Sequence, residues 1–184
     1  MVNKRFCLAI LAIALVFGMA LLGACRSSPK AYSVIEQVMP DAQSAVVYFS
    51  GTSTTKAVLW DGETPIGDFD EGPMISHMPW KTTPGEHYFM ANATNWIVMK
   101  ADLKPNTRYF VNIWSVPSGI GHFIAMRALS QEDGETWLKQ GKILSFTDEW
   151  RAEFVQDKRG KRLQEAKEQL QKAKNDKSME ITLK

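Results

Sequence analysis

The chain has 184 residues, of which 45% are hydrophobic and 10% aromatic. That suits one domain with appendages and excludes global disorder. Lys and Arg number 22 against 20 Asp and Glu, and Lys4 and Arg5 lie in a leader expected to be removed, so the mature chain carries 20 of each sign. A balanced charge excludes bulk attraction to nucleic acid.

Met1–Arg5 is a short basic region and Phe6–Leu22 an apolar run with small residues near its end. This is the layout of an export signal. A spanning helix needs about 20 apolar residues, and this run falls slightly short of that. The run ends on Leu22-Gly23-Ala24-Cys25, which closely resembles the bacterial lipoprotein lipobox. The resemblance implies signal-peptidase cleavage between Ala24 and Cys25, a diacylglyceryl thioether on Cys25 and a third acyl chain on its amine. Several acyl chains give durable attachment to a lipid bilayer, where one is marginal. Arg26, standing where an Asp would retain an enteric lipoprotein in the inner membrane, implies the outer membrane. With Cys7 in the leader and Cys25 acylated, the mature domain holds no free thiol. That excludes a disulfide, thiol redox chemistry, a cysteine nucleophile and a cysteine metal site.

Arg26–Lys30 reads as a polar tether. Ser33 and Glu36 have capping-box spacing and Pro40 is a stop, so Val34–Met39 is expected to form a short helical turn. Cys25 and Ala45 are 20 residues apart, a reach of at most about 70 Å. Ala45–Phe49 is a continuous apolar run, expected as a central strand. Lys56–Trp60 and Thr64–Phe69 flank Asp61-Gly62, residues that tolerate the positive φ of a tight hairpin. Met74–Trp80 is expected as an edge strand because it contains Pro79. Pro84-Gly85 turns the chain into Glu86–Asn92, which pairs with Trp96–Asp102. Lys104-Pro105-Asn106 turns into Arg108–Val116, whose alternation sets Tyr109, Val111 and Ile113 on one face and Arg108, Phe110, Asn112 and Trp114 on the other. Pro117-Ser118-Gly119 leads into His122–Leu129. About eight short strands at turn spacings near ten residues predict an all-β sandwich.

The period then changes. Ser130 caps a short helix that Gly141 closes, with Trp137 and Leu138 as packing residues. Thr147 starts a second helix whose Trp150, Phe154 and Val155 dock on the sandwich. Beyond Gly160, Leu163, Ala166, Leu170 and Ala173 fall on an a/d spacing among charges. Gly160–Asn175 is expected as a projecting, weakly amphipathic helix, too short for a self-standing coiled coil.

The stretch from Lys56 to Val116 resembles a family of uncharacterised bacterial lipoproteins. The residues that carry the likeness are Trp60-Asp61-Gly62, Pro65-Ile66-Gly67, Pro84-Gly85-Glu86-His87 and Leu103–Val111. Asn106 stands where the family has a glycine, and Asn also accepts left-handed geometry. The resemblance implies a prealbumin-like or carboxypeptidase-regulatory-like sandwich that binds or supports rather than catalyses.

Candidate chemistry is sparse. His77, His87 and His122 lie on three predicted strands without the spacing of a metal motif, so no metal or cofactor is expected. His87 can instead cap the Pro84-Gly85 turn. Gly119-Ile120-Gly121 precedes a strand, not a helix, and reads as a turn rather than a phosphate cradle. Ser118, His122 and Asp133 lack a nucleophile elbow. Asn92-Ala93-Thr94 reads as a turn rather than a glycosylation site. Lys158-Arg159-Gly160-Lys161-Arg162 is a basic cluster whose acidic neighbours make it a solvated helix face. Trp60, Trp80, Trp96 and Trp114 are expected first as core residues; the alternative is that Trp96 and Trp114, on one side of a sheet, form with His87 a candidate binding surface.

The fold expected is therefore mainly β: an antiparallel sandwich, transthyretin-like or Ig-like, with a C-terminal helical extension. Residues 1–24 form the signal peptide, 25–43 the tether, 44–129 the sandwich and 130–184 the extension. The function expected is that of a non-enzymatic envelope lipoprotein. It would bind another envelope protein through the sandwich face or the Gly160–Asn175 helix. A small-ligand or cell-wall glycan module, or a metal-dependent hydrolase on the three histidines, are the alternatives.

Overall fold

The computed structural model describes residues 31–119, 121–156, 160–176 and 181–183. The leader, Ala24, Cys25 and the Lys158-Arg159 part of the basic cluster lie outside the described residues. In chain order the strands are β1 (Tyr32–Val34), β2 (Ala45–Thr52), β3 (Val58–Asp61), β4 (Thr64–Asp68), β5 (Ile75–Thr82), β6 (Gly85–Asn92), β7 (Trp96–Leu103), β8 (Thr107–Ser118), β9 (Gly121–Ala128), β10 (Lys142–Phe146) and β11 (Ile181–Leu183). The helices are α1 (Gln131–Leu138), α2 (Asp148–Gln156) and α3 (Gly160–Asn175).

The chain is mainly β and builds two sheets, one ordered β1-β10-β5-β2-β8-β9 and the other β11-β7-β6-β3-β4. The eight strands expected between Ser44 and Leu129 are β2 to β9. The sheets are mixed rather than antiparallel: β2 runs parallel to β8, β10 to β5 and β11 to β7. The reason is topological. Each of these neighbours arrives by a long excursion through the other sheet or a helix, and only short hairpins impose antiparallel pairing.

Between the sheets lie Ala45, Val47 and Phe49 of β2, Tyr109, Val111 and Ile113 of β8, and Leu59, Phe89 and Met99 from the facing sheet. Phe49 and Phe89 meet edge to face at 5.1 Å. The alternation read from Arg108–Val116 is thus the division between two cores. The other face of the first sheet buries Val46, Tyr48, Phe110 and Ile143 against Leu138 of α1 and the segment through Ile35 and Val38.

Several expectations are corrected. Tyr32–Val34 is a strand paired with β10, and no helix follows; Tyr48 Oη instead holds Val38 by accepting from its N–H at 2.7 Å and donating to its carbonyl at 2.8 Å. β5 is interior, between β10 and β2. Pro79 pairs with Tyr48 of β2, but β10 pairs with β5 only at Ser76 and His77, so at Pro79 the strand has no ladder partner on its other side. Pro84-Gly85 is a crossover between sheets, with Gly85 at φ +120°. The region after residue 129 is no mere helical extension, since it supplies β10 and β11 to the sheets.

The largest correction concerns α3. It does not project. Ala166 and Ala173 are buried, with Leu163 and Leu170 packed beside them on the main core. They cover the outer face of the second sheet, which carries Val58, Trp60, Tyr88, Met90 and Val98. Small residues in the stripe let the helix approach closely. Lys174 Nζ sits 5.8 Å from the Tyr88 ring and Lys167 pairs with Glu63 at 3.4 Å. α2 seals the remaining edge, where Trp150 meets Phe146 at 4.6 Å and Phe154 meets Trp60 at 5.6 Å.

Candidate functional site

The structure separates the three residues expected to form one surface. Trp96 is in β7, half-buried on the outer face of the second sheet and 6.3 Å from Trp60. Trp114 is in β8, on the outer face of the first sheet. His87 points between the sheets, where its ring stacks on Phe89 at 5.6 Å. Trp96 and Trp114 therefore do not share a side of a sheet. Sequence alternation reports only which residues of one strand share a face, and here the strands belong to different sheets.

The histidines do not converge either. His77 is fully buried on the outer face of the first sheet, under the C-terminal end of α1. Its Nδ1 accepts from Ser50 Oγ at 2.8 Å, and its Nε2 donates to the Gln140 carbonyl. Burial pushes its pKa down. His87, on the second sheet, has its pKa pushed up by its hydrogen bond to Asp61. The side chain of His122 lies outside the described residues. Among the described residues no group of three or more His, Cys, Asp or Glu could hold a metal ion. Ser118 and His122 lie at the tip of the β8–β9 hairpin, whereas Asp133 is spent at the start of α1, where its N–H donates to Ser130 Oγ. Asn92 is buried at the end of β6.

One surface stands out, of which the sequence marked only Trp114. β8 pairs with β2 only as far as Asn112, but with β9 as far as Ser118. Beyond Asn112 the sheet thus narrows to a two-stranded arm. Its outer face continues the side that α1 covers lower down, but α1 does not reach it. Trp114 and Val116 of β8 stand across from Ala125 and Phe123 of β9. Val116 is 39% exposed and Phe123 41%. The Arg127 guanidinium lies 5.5 Å from the Trp114 ring. An overhanging apolar face with one cation over its aromatic is the chemistry of a contact surface.

The inner face of the arm lines a cleft of about 680 Å³ at the same end of the sandwich. Ser115, Pro117 and Ile124 form one wall, Ala93 and Thr94 of the β6–β7 turn another, and Thr54, Thr55 and Lys56 the third. Asn95 ties the walls together: its Oδ1 accepts from the Ile124 N–H at 2.8 Å and its Nδ2 donates to the Ile124 carbonyl at 3.2 Å. Lys56 is held at φ 49°, a left-handed conformation uncommon for a residue with a Cβ. The length of the Arg108–Val116 alternation was the available sequence signal for the arm. What it could not carry is that α1 leaves this end bare.

No family model, no curated protein and no solved structure matches the chain.

Proposed function

We propose that the chain is a non-enzymatic envelope lipoprotein, anchored through acylated Cys25, that binds a protein partner through the outer face of the β8–β9 arm. The single observation behind the binding half is the exposure of Val116 and Phe123 beside Trp114 on a hairpin that extends past its own sheet. The anchoring half rests on the lipobox resemblance and on Arg26 for the outer membrane. β1 supports a short tether. Because Tyr32 is already paired with Phe146, only the five residues 26–30 lie between Cys25 and Ala31, a reach of about 20 Å in place of the 70 Å spanned to Ala45.

The strand order supports the transthyretin-like version of the fold. An Ig-type sandwich keeps its first and second strands in one sheet. Here the first strand of the eight, β2, shares a sheet with the fourth, seventh and eighth, and the second, third, fifth and sixth form the other. This arrangement agrees with the prealbumin-like family that the turn motifs resemble.

The test places a photo-crosslinking residue at position 123 and, as a control, at exposed position 153 on α2 in the full chain in cells. The expected result is a discrete adduct from position 123 only, lost in Val116→Asp. Equal labelling from both positions would sink the arm as the binding face. Labelled palmitate on the wild type and not on Cys25→Ala checks the anchor.

The cleft favours a second reading, a small polar ligand such as a cell-wall glycan. The cleft is lined by Thr54, Thr55, Thr94 and Ser115 beside Ala93, Pro117 and Ile124, and its volume falls in the range of ligand pockets. Titration with soluble glycan fragments would then shift the amide resonances of Thr94 and Ser115 but not those of the arm's outer face.

A further inference from the structure

At the end of the sandwich away from the arm, the chain crosses from β5 to β6. His87 sits beside this crossover. Its Nδ1 lies 3.0 Å from both carboxylate oxygens of Asp61, and its Nε2 lies 2.9 Å from the Thr83 carbonyl. The two side chains are only 13% and 14% exposed. Asp61 Oδ2 also accepts from Trp80 Nε1 at 2.8 Å. Trp80 belongs to the first sheet, and Asp61 and His87 to the second.

Neither a carboxylate nor a peptide carbonyl can donate a hydrogen bond. A neutral imidazole has one N–H and would leave one ring nitrogen facing an acceptor lone pair to lone pair. An imidazolium has two and satisfies both. We propose that His87 is held as an imidazolium, and that its pair with Asp61 is a proton-operated latch closing the β5–β6 crossover against the β3–β4 turn.

The surroundings agree. Asp61, from β3, is the charged group facing the ring. Across the ladder β7 places Ala101, while its Lys100 and Asp102 alternate to the other face of the sheet. On β6, Glu86 points away from the ring and pairs with Lys100 at 3.0 Å. Arg151 of α2 lies 5.5 Å from the Trp80 ring, and Lys167 of α3 is paired with Glu63. The Asp61 hydrogen bond outweighs burial in setting the ring's proton affinity, which is raised. The folded state thus keeps the proton to higher pH than the unfolded chain. The latch is fully closed below about pH 6.5 and opens as pH rises through the folded-state pKa. Losing the proton frees either Thr83 or Asp61 from the ring.

The test is a ring-nitrogen NMR titration of the full chain labelled in histidine, with His87→Gln to assign the signal. Both nitrogens of His87 should be protonated at neutral pH. The midpoint should lie above that of free imidazole and fall in Asp61→Asn. One unprotonated nitrogen at neutral pH, or a midpoint at or below the free value, overturns the proposal. If either variant fails to fold, the His87 ring is assigned by its through-space contacts with Phe89, and the wild-type titration decides alone. Amide exchange, corrected for its intrinsic pH dependence, tests the latch itself. Protection at Gly85 and Glu86 should drop through the same midpoint, and constant protection overturns it.

Discussion

At the scale of single residues, the two described histidines answer opposite local questions. His77 faces a hydroxyl, which can donate, and a carbonyl, which only accepts. The neutral ring with its proton on Nε2 satisfies both, and burial enforces that state. The folded pKa is depressed, so the unfolded chain binds the proton more readily once pH falls below about 6.5, and stability is lost from there downwards. We expect the denaturation midpoint of the wild type to fall between about pH 7 and about pH 5, with His77→Gln showing a flatter profile. At neutral pH that variant should be less stable by about 1–3 kcal/mol, because Ser50 and Gln140 lose a buried partner. His87 contributes in the other direction above about pH 6.5. Together the two place a local stability maximum near that pH. The residue type was visible in the sequence, but the tautomer depends on groups up to 63 positions away.

At the scale of elements, α1 shows how closely a helix can be set on a sheet. Ser130 caps it as its position suggested, and Gly141 at φ +82° ends the turn after it. Gly134 is the contact point. A Cβ there would lie 2.0 Å from Cγ of Phe110, a residue only 2% exposed and stacked on Tyr48 at 5.7 Å. Alanine favours a helix over glycine by about 1 kcal/mol. Overpacking typically costs about 1–3 kcal/mol, and Phe110 has nowhere to move. Gly134→Ala should therefore destabilise the protein on balance, read as a lower urea midpoint with an unchanged m-value. An unchanged or raised midpoint would mean that α1 shifts freely on the sheet. β10 shows the converse limit of reading elements. Its five residues follow Gly141 directly and precede the Thr147 cap, a gap that looks like a linker until the strand is seen beside β5.

At the scale of the whole molecule, α3 closes the second core. Its stripe was legible as Leu163, Ala166, Leu170 and Ala173, yet the same spacing fits a docked helix and a free one. Placing a carboxylate at Ala166, which is fully buried, puts an unpaired charge against the apolar face of the sheet. Ala166→Asp should cost about 3–5 kcal/mol. Lys167→Ala, which removes only an exposed ion pair, should change stability by about 1 kcal/mol or less. Matching melting temperatures for the two variants would show that α3 is dispensable. The docked position also removes this helix from the surfaces open to a partner, whereas Val116 and Phe123 of the β8–β9 arm stay exposed.

The sequence by itself determined the local features: the eight strands, the turns at Asp61-Gly62 and Asn106, the caps at Ser130 and Thr147, and the two faces of β8. Each depends on residues within a few positions of one another, through backbone sterics or a strand period of two. Only the tertiary structure decided which face is covered, by what, and in which protonation state. That is why Trp96 and Trp114 part company, β5 becomes interior, α3 lies down, and His77 and His87 differ in charge. All of these follow from contacts between residues far apart in the chain, where pattern carries no register and burial must be seen.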